Sequence, residues 1–199
     1  MKTLFTMILA LATTVTMASE TMPMTSTYKI DSAATTVGWA AKKITGSGHN
    51  GNVSVKDGFF TFTGDLITAG EINVDMKTIT DADMPATDEY NAKLVGHLKS
   101  PDFFNVEKYP SAKLVITSSE KTKTGLKIKG DLTFVGKTNP IEFDAIVSKQ
   151  KGIFTAKSDV VLDRTKWDLK YGSTDFFKSL GDKAINNEFT LSINVTAKN

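Results

Sequence analysis

Leu126-Lys127-Ile128-Lys129-Gly130-Asp131-Leu132-Thr133-Phe134 is followed, across Val135-Gly136, by a second run ending Ile141-Glu142-Phe143-Asp144-Ala145-Ile146-Val147. In both runs apolar side chains alternate with lysines, acids or threonines. A period of two marks a strand with one buried face and one wet face. The glycine at 136 punctuates the pair as a turn. Together they read as a β-hairpin.

The same habit extends outward in both directions. Leu114 and Ile116 alternate with Lys113 and Thr117; Phe154, Ala156, Val160 and Leu162 follow the hairpin; Phe189, Leu191, Ile193, Val195 and Ala197 close the chain. Upstream, Val37, Trp39 and Ala41 alternate with more polar neighbours. Val53 and Val55 lead into Lys56-Asp57-Gly58, which reads as a tight turn before Phe60 and Phe62. Ile72, Val74 and Met76 alternate with Glu71, Asn73, Asp75 and Lys77. Two stretches break the pattern. From Asp88 to Leu98, Tyr90, Leu94, Val95 and Leu98 fall at helical spacing, with Thr87 or Asp88 as N-cap and Pro101 as the stop. Residues 166–187 form an irregular insert carrying Trp167, Tyr171, Phe176, Phe177 and Leu180.

Eight or nine antiparallel strands from one chain close into a barrel or pack as a sandwich. Sequential hairpins with short turns favour an all-β, up-and-down antiparallel β-barrel of about eight strands with a short α-helical insert. The interior of such a barrel is just wide enough for one small or slender ligand. A barrel of the outer-membrane type would turn an apolar band and aromatic girdles outward. The lysine- and acid-rich polar faces and the helical excursion point to a soluble barrel instead.

Composition agrees. The chain has 199 residues, 40% hydrophobic and 23% charged, ordinary for a folded domain, and shows no linker or internal repeat. Its 24 basic and 22 acidic residues nearly cancel, so no field draws nucleic acid or an anionic membrane. Cysteine is absent, which excludes disulfides, thiolate metal sites and a Cys nucleophile. At the start, Lys2 precedes an apolar run from Leu4 to Ala12, and Thr16 and Ala18 precede Ser19. That is the layout of a secretory signal peptide, too short to span a bilayer; an uncleaved N-terminal anchor is the alternative. The expected organisation is a signal peptide over 1–18 and one domain over 19–199, periplasmic or secreted.

The catalytic inventory is thin. His49, in Gly46-Ser47-Gly48-His49-Asn50-Gly51, reads as part of an exposed turn. His97 lies near the helix end, where the dipole favours its protonated form. Both read as structural hydrogen-bonding groups, and a zinc site would require the fold to bring them together with carboxylates. Asp81 with Asp83, and Asp88 with Glu89, read as solvated loop acids. No Gly-rich phosphate loop or nucleophile elbow is present. Lys121, Lys123, Lys127 and Lys129 lack interleaved aromatics and read as a solubilising surface. No catalytic residue, metal or cofactor is expected. What is abundant is aromatic surface, with 12 phenylalanines and 2 tryptophans. Phe103-Phe104 and Phe176-Phe177 are doublets in connecting segments, each of which must bury at least one ring. They either plug the barrel ends as core or line the mouth of an apolar tunnel.

Gly96-His97-Leu98-Lys99-Ser100-Pro101-Asp102-Phe103-Phe104, with Val106-Glu107-Lys108-Tyr109-Pro110-Ser111-Ala112 after it, resembles the signature of the YceI-like family. So does Gly130-Asp131-Leu132-Thr133-Phe134-Val135-Gly136-Lys137-Thr138-Asn139-Pro140. The resemblance runs from about Tyr28 to Lys198. Two parts depart from it: Ala34-Thr35 stands where many members have His-Ser, and Arg164-Thr165-Lys166-Trp167-Asp168 where they have Arg-x-Asp-Phe-Gly.

The resemblance implies a lipocalin-like barrel with the helix packed near one end. It also implies a mostly apolar tunnel for a polyisoprenoid or similar long-chain lipid, and it brings no catalytic residue. It turns the reading of the aromatics towards lining. On it, Val37, Trp39, Phe60, Phe62, Ile72, Val74, Leu114, Ile116, Leu132, Phe134 and Phe143 are expected to face inward. Leu94, Leu98, Phe103, Phe104, Trp167, Phe176 and Phe177 are expected to shape the mouth or the closed end. The expected partner is a long apolar small molecule, not nucleic acid, and a homodimer is left open. Each square ångström of such a chain removed from water contributes about 25 cal/mol before the costs of association. An enzyme acting on a lipid or quinone in the same tunnel, or a filled barrel acting through its surface, are the alternatives.

Overall fold

The computed structural model describes residues 23–199, so the expected signal peptide over 1–18 lies outside the described residues. The described strands are β1 (Thr25–Ile30), β2 (Thr36–Lys43), β3 (Gly48–Thr63), β4 (Leu66–Asp75), β5 (Ser111–Lys121), β6 (Leu126–Phe134), β7 (Lys137–Gln150), β8 (Ile153–Asp163) and β9 (Ile185–Lys198), with one helix, α1 (Glu89–Lys99). From β2 to β9 each strand pairs antiparallel with the next in the chain, and β2 returns to β9. β1 and β2 both pair with β3 and with β9, so they form one stave interrupted by a short 3-10 turn at Ser32–Ala34. Nine strands therefore make eight staves, and the sheet closes into the expected up-and-down barrel.

Local chemistry explains the joints. Where the first stave breaks, the buried Thr35 donates its hydroxyl to the Thr196 carbonyl (3.3 Å) and accepts the Thr196 N–H (3.2 Å), which keeps the broken stave on β9. The β6–β7 hairpin has a two-residue turn with both φ positive, 51° at Val135 and 73° at Gly136, the conformation whose twist matches its flanking strands. A Cβ at position 136 would lie 2.6 Å from a ring carbon of Tyr109, so glycine is needed there for space as well as for φ. α1 forms as its spacing predicts, with the Asp88 carboxylate accepting the Tyr90 N–H at 2.8 Å.

Two expectations fail in β3. Lys56-Asp57-Gly58 is not a turn: β3 runs unbroken for 16 residues, and its register against β4 shifts between Val55 and Asp57 as a β-bulge. An extra residue in one strand bends it without ending it, and a polar Gly-containing triplet is equally suited to a bulge and a turn. His49 is not in an exposed turn either; it pairs with Ala41 within the β2–β3 ladder.

The two ends of the barrel differ. At one end Tyr28, Phe60, Phe62 and Phe154 pack edge to face, with ring centroids 5.0 to 5.3 Å apart for the three closest pairs. Lys149 lies 4.6 Å over the Phe62 ring and donates to the Gly64 carbonyl at 2.9 Å, covering that cluster. The other end receives both long connections, residues 76–110 with α1 and residues 164–184. The second is organised by Arg164, which is buried and donates to the carbonyls of Asn186 (3.0 Å), Leu169 (2.5 Å), Tyr171 (2.8 Å) and Ile185 (3.1 Å). Outside, cross-strand ion pairs such as Lys113–Glu71 (3.0 Å), Lys127–Glu142 (3.0 Å) and Lys129–Glu120 (2.6 Å) occupy the faces of β4 to β7. A lipid-facing band carries the opposite chemistry.

One ladder is incomplete. β7 pairs with β8 only from Ile146↔Lys157 to Gln150↔Ile153, although β7 begins at Lys137 and β8 runs on to Asp163. Where the ladder stops, the Ser158 hydroxyl donates to the Asp144 carbonyl at 2.6 Å. Towards the rim, the Asn139 amide donates to the Lys166 carbonyl at 3.0 Å. Between these two points the barrel wall is split. A cleft of about 390 Å³ lies at the split, bounded by Ala145, Ile146, Lys157, Ser158 and Ile193 among others.

Two measurements check this account. Arg164→Lys replaces a planar fork by a point charge and loses several bonds to buried carbonyls, for an expected loss of about 2–3 kcal/mol in denaturant unfolding. By hydrogen exchange, the amides of residues 138–144 that point towards β8 should exchange at least roughly a hundredfold faster than their alternate neighbours bonded to β6. Uniform protection along β7 would mean that the split is closed in solution.

Candidate functional site

Alternation in a closed barrel sends every second side chain inward, and the register identifies which. On β6 the buried positions are Leu126, Ile128, Gly130, Leu132 and Phe134, opposite Ala145, Phe143, Ile141, Asn139 and Lys137 of β7. On β9 the same face carries Phe189, Leu191, Ile193, Val195 and Ala197, and on β2 Val37, Trp39 and Ala41. Ile72 and Val74 of β4 stand opposite Leu114 and Ala112 of β5.

Burial along this inward face is uneven. Phe60, Phe62 and Ile116, at or near the aromatic end, are 3%, 1% and 3% exposed. Towards the other end Trp39, Val53, Val74, Ile141, Phe143, Leu191 and Ile193 are only partly buried, although they point into the barrel. The area these residues leave uncovered faces the barrel interior, the partly roofed rim or the split beside β7. The inward face is thus fully buried at one end and apolar but only partly buried at the other.

The rim above this belt is partly roofed. Trp167 is 1% exposed, donates its indole N–H to the Leu132 carbonyl at 3.0 Å, and stacks on Phe134 at 4.7 Å. Phe104 and Phe189 approach the same Phe134 ring at 6.3 and 6.4 Å. Trp39 donates its indole N–H to the Thr80 carbonyl at 3.0 Å. Residues 80–82 also hydrogen-bond to the free edge of β3, through Thr80 N–H to Asn52 (2.9 Å) and Ala82 N–H to Asn50 (2.8 Å). A Cβ at Gly51 would lie 1.8 Å from the Thr80 carbonyl, so only glycine lets this segment settle there.

The other residues singled out from the sequence divide. Val37, Leu114 and Leu132 occupy inward positions with Phe134, and Leu98 of α1 is buried while Leu94 is partly buried. Phe103 is partly buried but sits outside the barrel, against His97 (4.9 Å) and Tyr171 (5.0 Å). Phe176 and Phe177 are 48% and 47% exposed, which corrects the expectation that this doublet buries a ring. Their backbone N–H groups both turn back on the Ser173 carbonyl, and Lys170 covers the Phe176 ring from outside at 4.9 Å. Both rings lie away from the interior. Sequence reading did not name Val53, Ile141, Leu191 or Ile193 among the inward residues, although alternation put Ile141, Leu191 and Ile193 on the apolar face of their runs; the register turns that face inward.

Asp81 also departs from expectation. It is buried, not a solvated loop acid, and the fold brings it with Asp83 to His49, while His97 bonds separately to Asp102 at 3.0 Å. Burial raises the Asp81 carboxyl, and the neighbouring Asp83 adds to this. Asp83 goes the other way: burial opposes its charge, but Asp81, the Asn50 N–H and His49 together hold it below the usual carboxylate range.

Comparison with known proteins sets this barrel in context. The YceI-like domain model matches residues 28–197. A UPF0312 protein of Pseudomonas putida (strain GB-1) is 34% identical over 140 residues, covering 68% of this chain and 69% of that protein. Protein YceI of Escherichia coli O17:K52:H18 is 38% identical over 89 residues, 45% of this chain, so the match spans less than half (44%) of that curated relative's length. Among solved structures, Burkholderia cenocepacia BcnA superposes with a TM-score of 0.63 at 14% identity, covering 85% of this chain and 99% of that one. A polyisoprenoid binding domain from Saccharophagus degradans gives a TM-score of 0.63 at 10% identity over 86% and 97% of the two chains. At these identities the structural likenesses establish the fold. The domain match runs from the first barrel strand to the last, and with it the chain belongs to the YceI-like family.

Proposed function

We propose that the protein binds one long apolar chain of isoprenoid or fatty-acyl type in the unfilled end of its barrel, and that it does so as an exported carrier, without turnover. The observation that carries this reading is the belt of Val53, Val74, Ile141, Phe143, Leu191 and Ile193, which point inward yet remain partly uncovered. Uncovered apolar surface inside a fold is a standing free-energy source for an apolar guest. A pocket with few polar groups discriminates by length and width. The polyisoprenoid-binding neighbour supports the choice of ligand class, and the layout of residues 1–18 supports export. An enzyme in the same hollow needs a titratable group aimed into it. The inward positions of this belt carry aliphatic and aromatic side chains instead.

The split between β7 and β8 offers the guest a lateral way in. Trp167, Phe104 and the 80–82 segment obstruct the rim, whereas the cleft at the split reaches Ala145 and Ile193 on the inward face. Entry through the wall lets a chain slide in sideways without unseating Trp167.

Ile193→Trp tests the reading, because it fills the hollow from a wall position. Binding of farnesol, geranylgeraniol and solanesol, followed by native mass spectrometry, should weaken at least about tenfold with little change in unfolding midpoint. Val161→Thr, on the exposed outer face, should bind as the parent does. If Ile193→Trp destabilises by about 1–3 kcal/mol, the cost of overpacking a filled core, and leaves binding intact, the reading fails.

A further inference from the structure

We propose that His49, Asp81 and Asp83 form a binding site for one divalent transition-metal ion, zinc by its donor set, at the roofed rim of the barrel. The three residues offer an imidazole nitrogen and two carboxylate oxygens that all lie within 4.8 Å of one another. This inference is independent of the lipid-binding reading.

The decisive feature is Asp81. Its side chain has no solvent exposure (0%). Its Oδ2 accepts the Met84 N–H at 3.0 Å and the Asn91 side-chain amide at 3.3 Å. Its Oδ1 has no hydrogen-bond partner, and among the described residues it is the one buried side-chain polar atom in that condition. That oxygen points at His49, 3.9 Å from Nδ1. A buried carboxylate oxygen left bare carries a full desolvation penalty, and a bound cation removes it.

Asp83 repeats the arrangement. Its Oδ1 accepts the Asn50 N–H at 2.9 Å, and its Oδ2 lies 3.0 Å from His49 Nδ1. Each carboxylate thus spends one oxygen on the fold and directs the other to a shared point. Metal sites use the same division of labour, in which outer hydrogen bonds orient the ligand atoms. Zinc–ligand distances of about 2.0–2.2 Å place neighbouring donors roughly 3.2–3.6 Å apart in a tetrahedron. Relative to His49 Nδ1, the Asp83 oxygen would move outward and the Asp81 oxygen inward by a few tenths of an ångström, and the two carboxylate oxygens, within 4.8 Å of each other, would close on the ion.

Access and vacancy in the coordination sphere are also provided. His49 is 42% exposed at the side chain, and it borders a cleft of about 420 Å³ with Met84, Tyr90, Lys93, Leu94 and His97. Water can reach the fourth position from there. A mixed nitrogen and oxygen set suits zinc better than calcium or magnesium, which favour six or more oxygens, and the lack of thiolate disfavours cuprous copper. An imidazolium paired with Asp83 alone would account for the short contact but leaves the Asp81 oxygen bare. Occupied, the site would clamp the 80–83 segment to the start of β3, at the roof beside α1.

Titration of the metal-free protein with zinc against a competing chelator should give one ion per chain and a raised thermal midpoint. Asp81→Asn should weaken binding roughly tenfold or more and abolish the rise in midpoint, and Asp83→Asn should do the same, while His97→Gln binds as the parent. Far-UV circular dichroism verifies that the variants fold, and the parent titration decides on its own if one does not. Absence of stoichiometric zinc binding, or equal binding by Asp81→Asn, would overturn the proposal.

Discussion

Closure of the sheet is the constraint on which everything else rests. With β2 returned to β9 and β3 paired to β4, the strands between them have partners on both sides, and alternate side chains acquire a common interior. Backbone hydrogen bonding alone does not select this state; an open sheet would satisfy most of the same groups. Burial of one face selects it, since a closed eight-stave cylinder removes apolar rows from water without needing a second sheet. The outward rows then carry cross-strand ion pairs, each worth little in water, whose main effect is to keep the outer face wet.

Closure also explains why the interior is uneven. A barrel of this size is filled where large rings meet across it, as Tyr28, Phe60, Phe62 and Phe154 do. Further along, Val37 stands beside Val53 and Ile193, and Trp39 beside Leu191, on the β2, β3 and β9 rungs, and Val53, Trp39, Leu191 and Ile193 are only partly buried. The incomplete β7–β8 ladder falls beside the partly buried belt, away from the aromatic cluster. That coincidence sets the break in the wall beside the least covered part of the inward apolar face.

Much of this was legible in the sequence. Period-two alternation in β5 to β9 revealed the strands, and Asp88 with the spacing of Tyr90, Leu94 and Leu98 revealed α1. Bulges were not legible, because Lys56-Asp57-Gly58 has the composition of a turn and only pairing with β4 makes it continuous strand. Arg164 and Asp81 were also hidden. Both are charged residues that composition assigns to the surface, and both are buried among groups that the fold brings to them, the Asn186 and Ile185 carbonyls for one and the Asn91 side-chain amide of α1 for the other. The Phe176-Phe177 doublet misled in the opposite sense, since a local turn on Ser173 overrides the tendency of aromatic rings to be buried.

The central claim is a chamber, apolar and unfilled, at one end of the cylinder. A crystal structure of the protein loaded with geranylgeraniol tests it most directly. The account predicts continuous density for the chain against Val53, Val74, Leu191 and Ile193, stopping at the ring cluster of Phe60, Phe62 and Phe154. Side chains meeting across that region with no room for a guest, or the alcohol bound only on the outer surface, would contradict it.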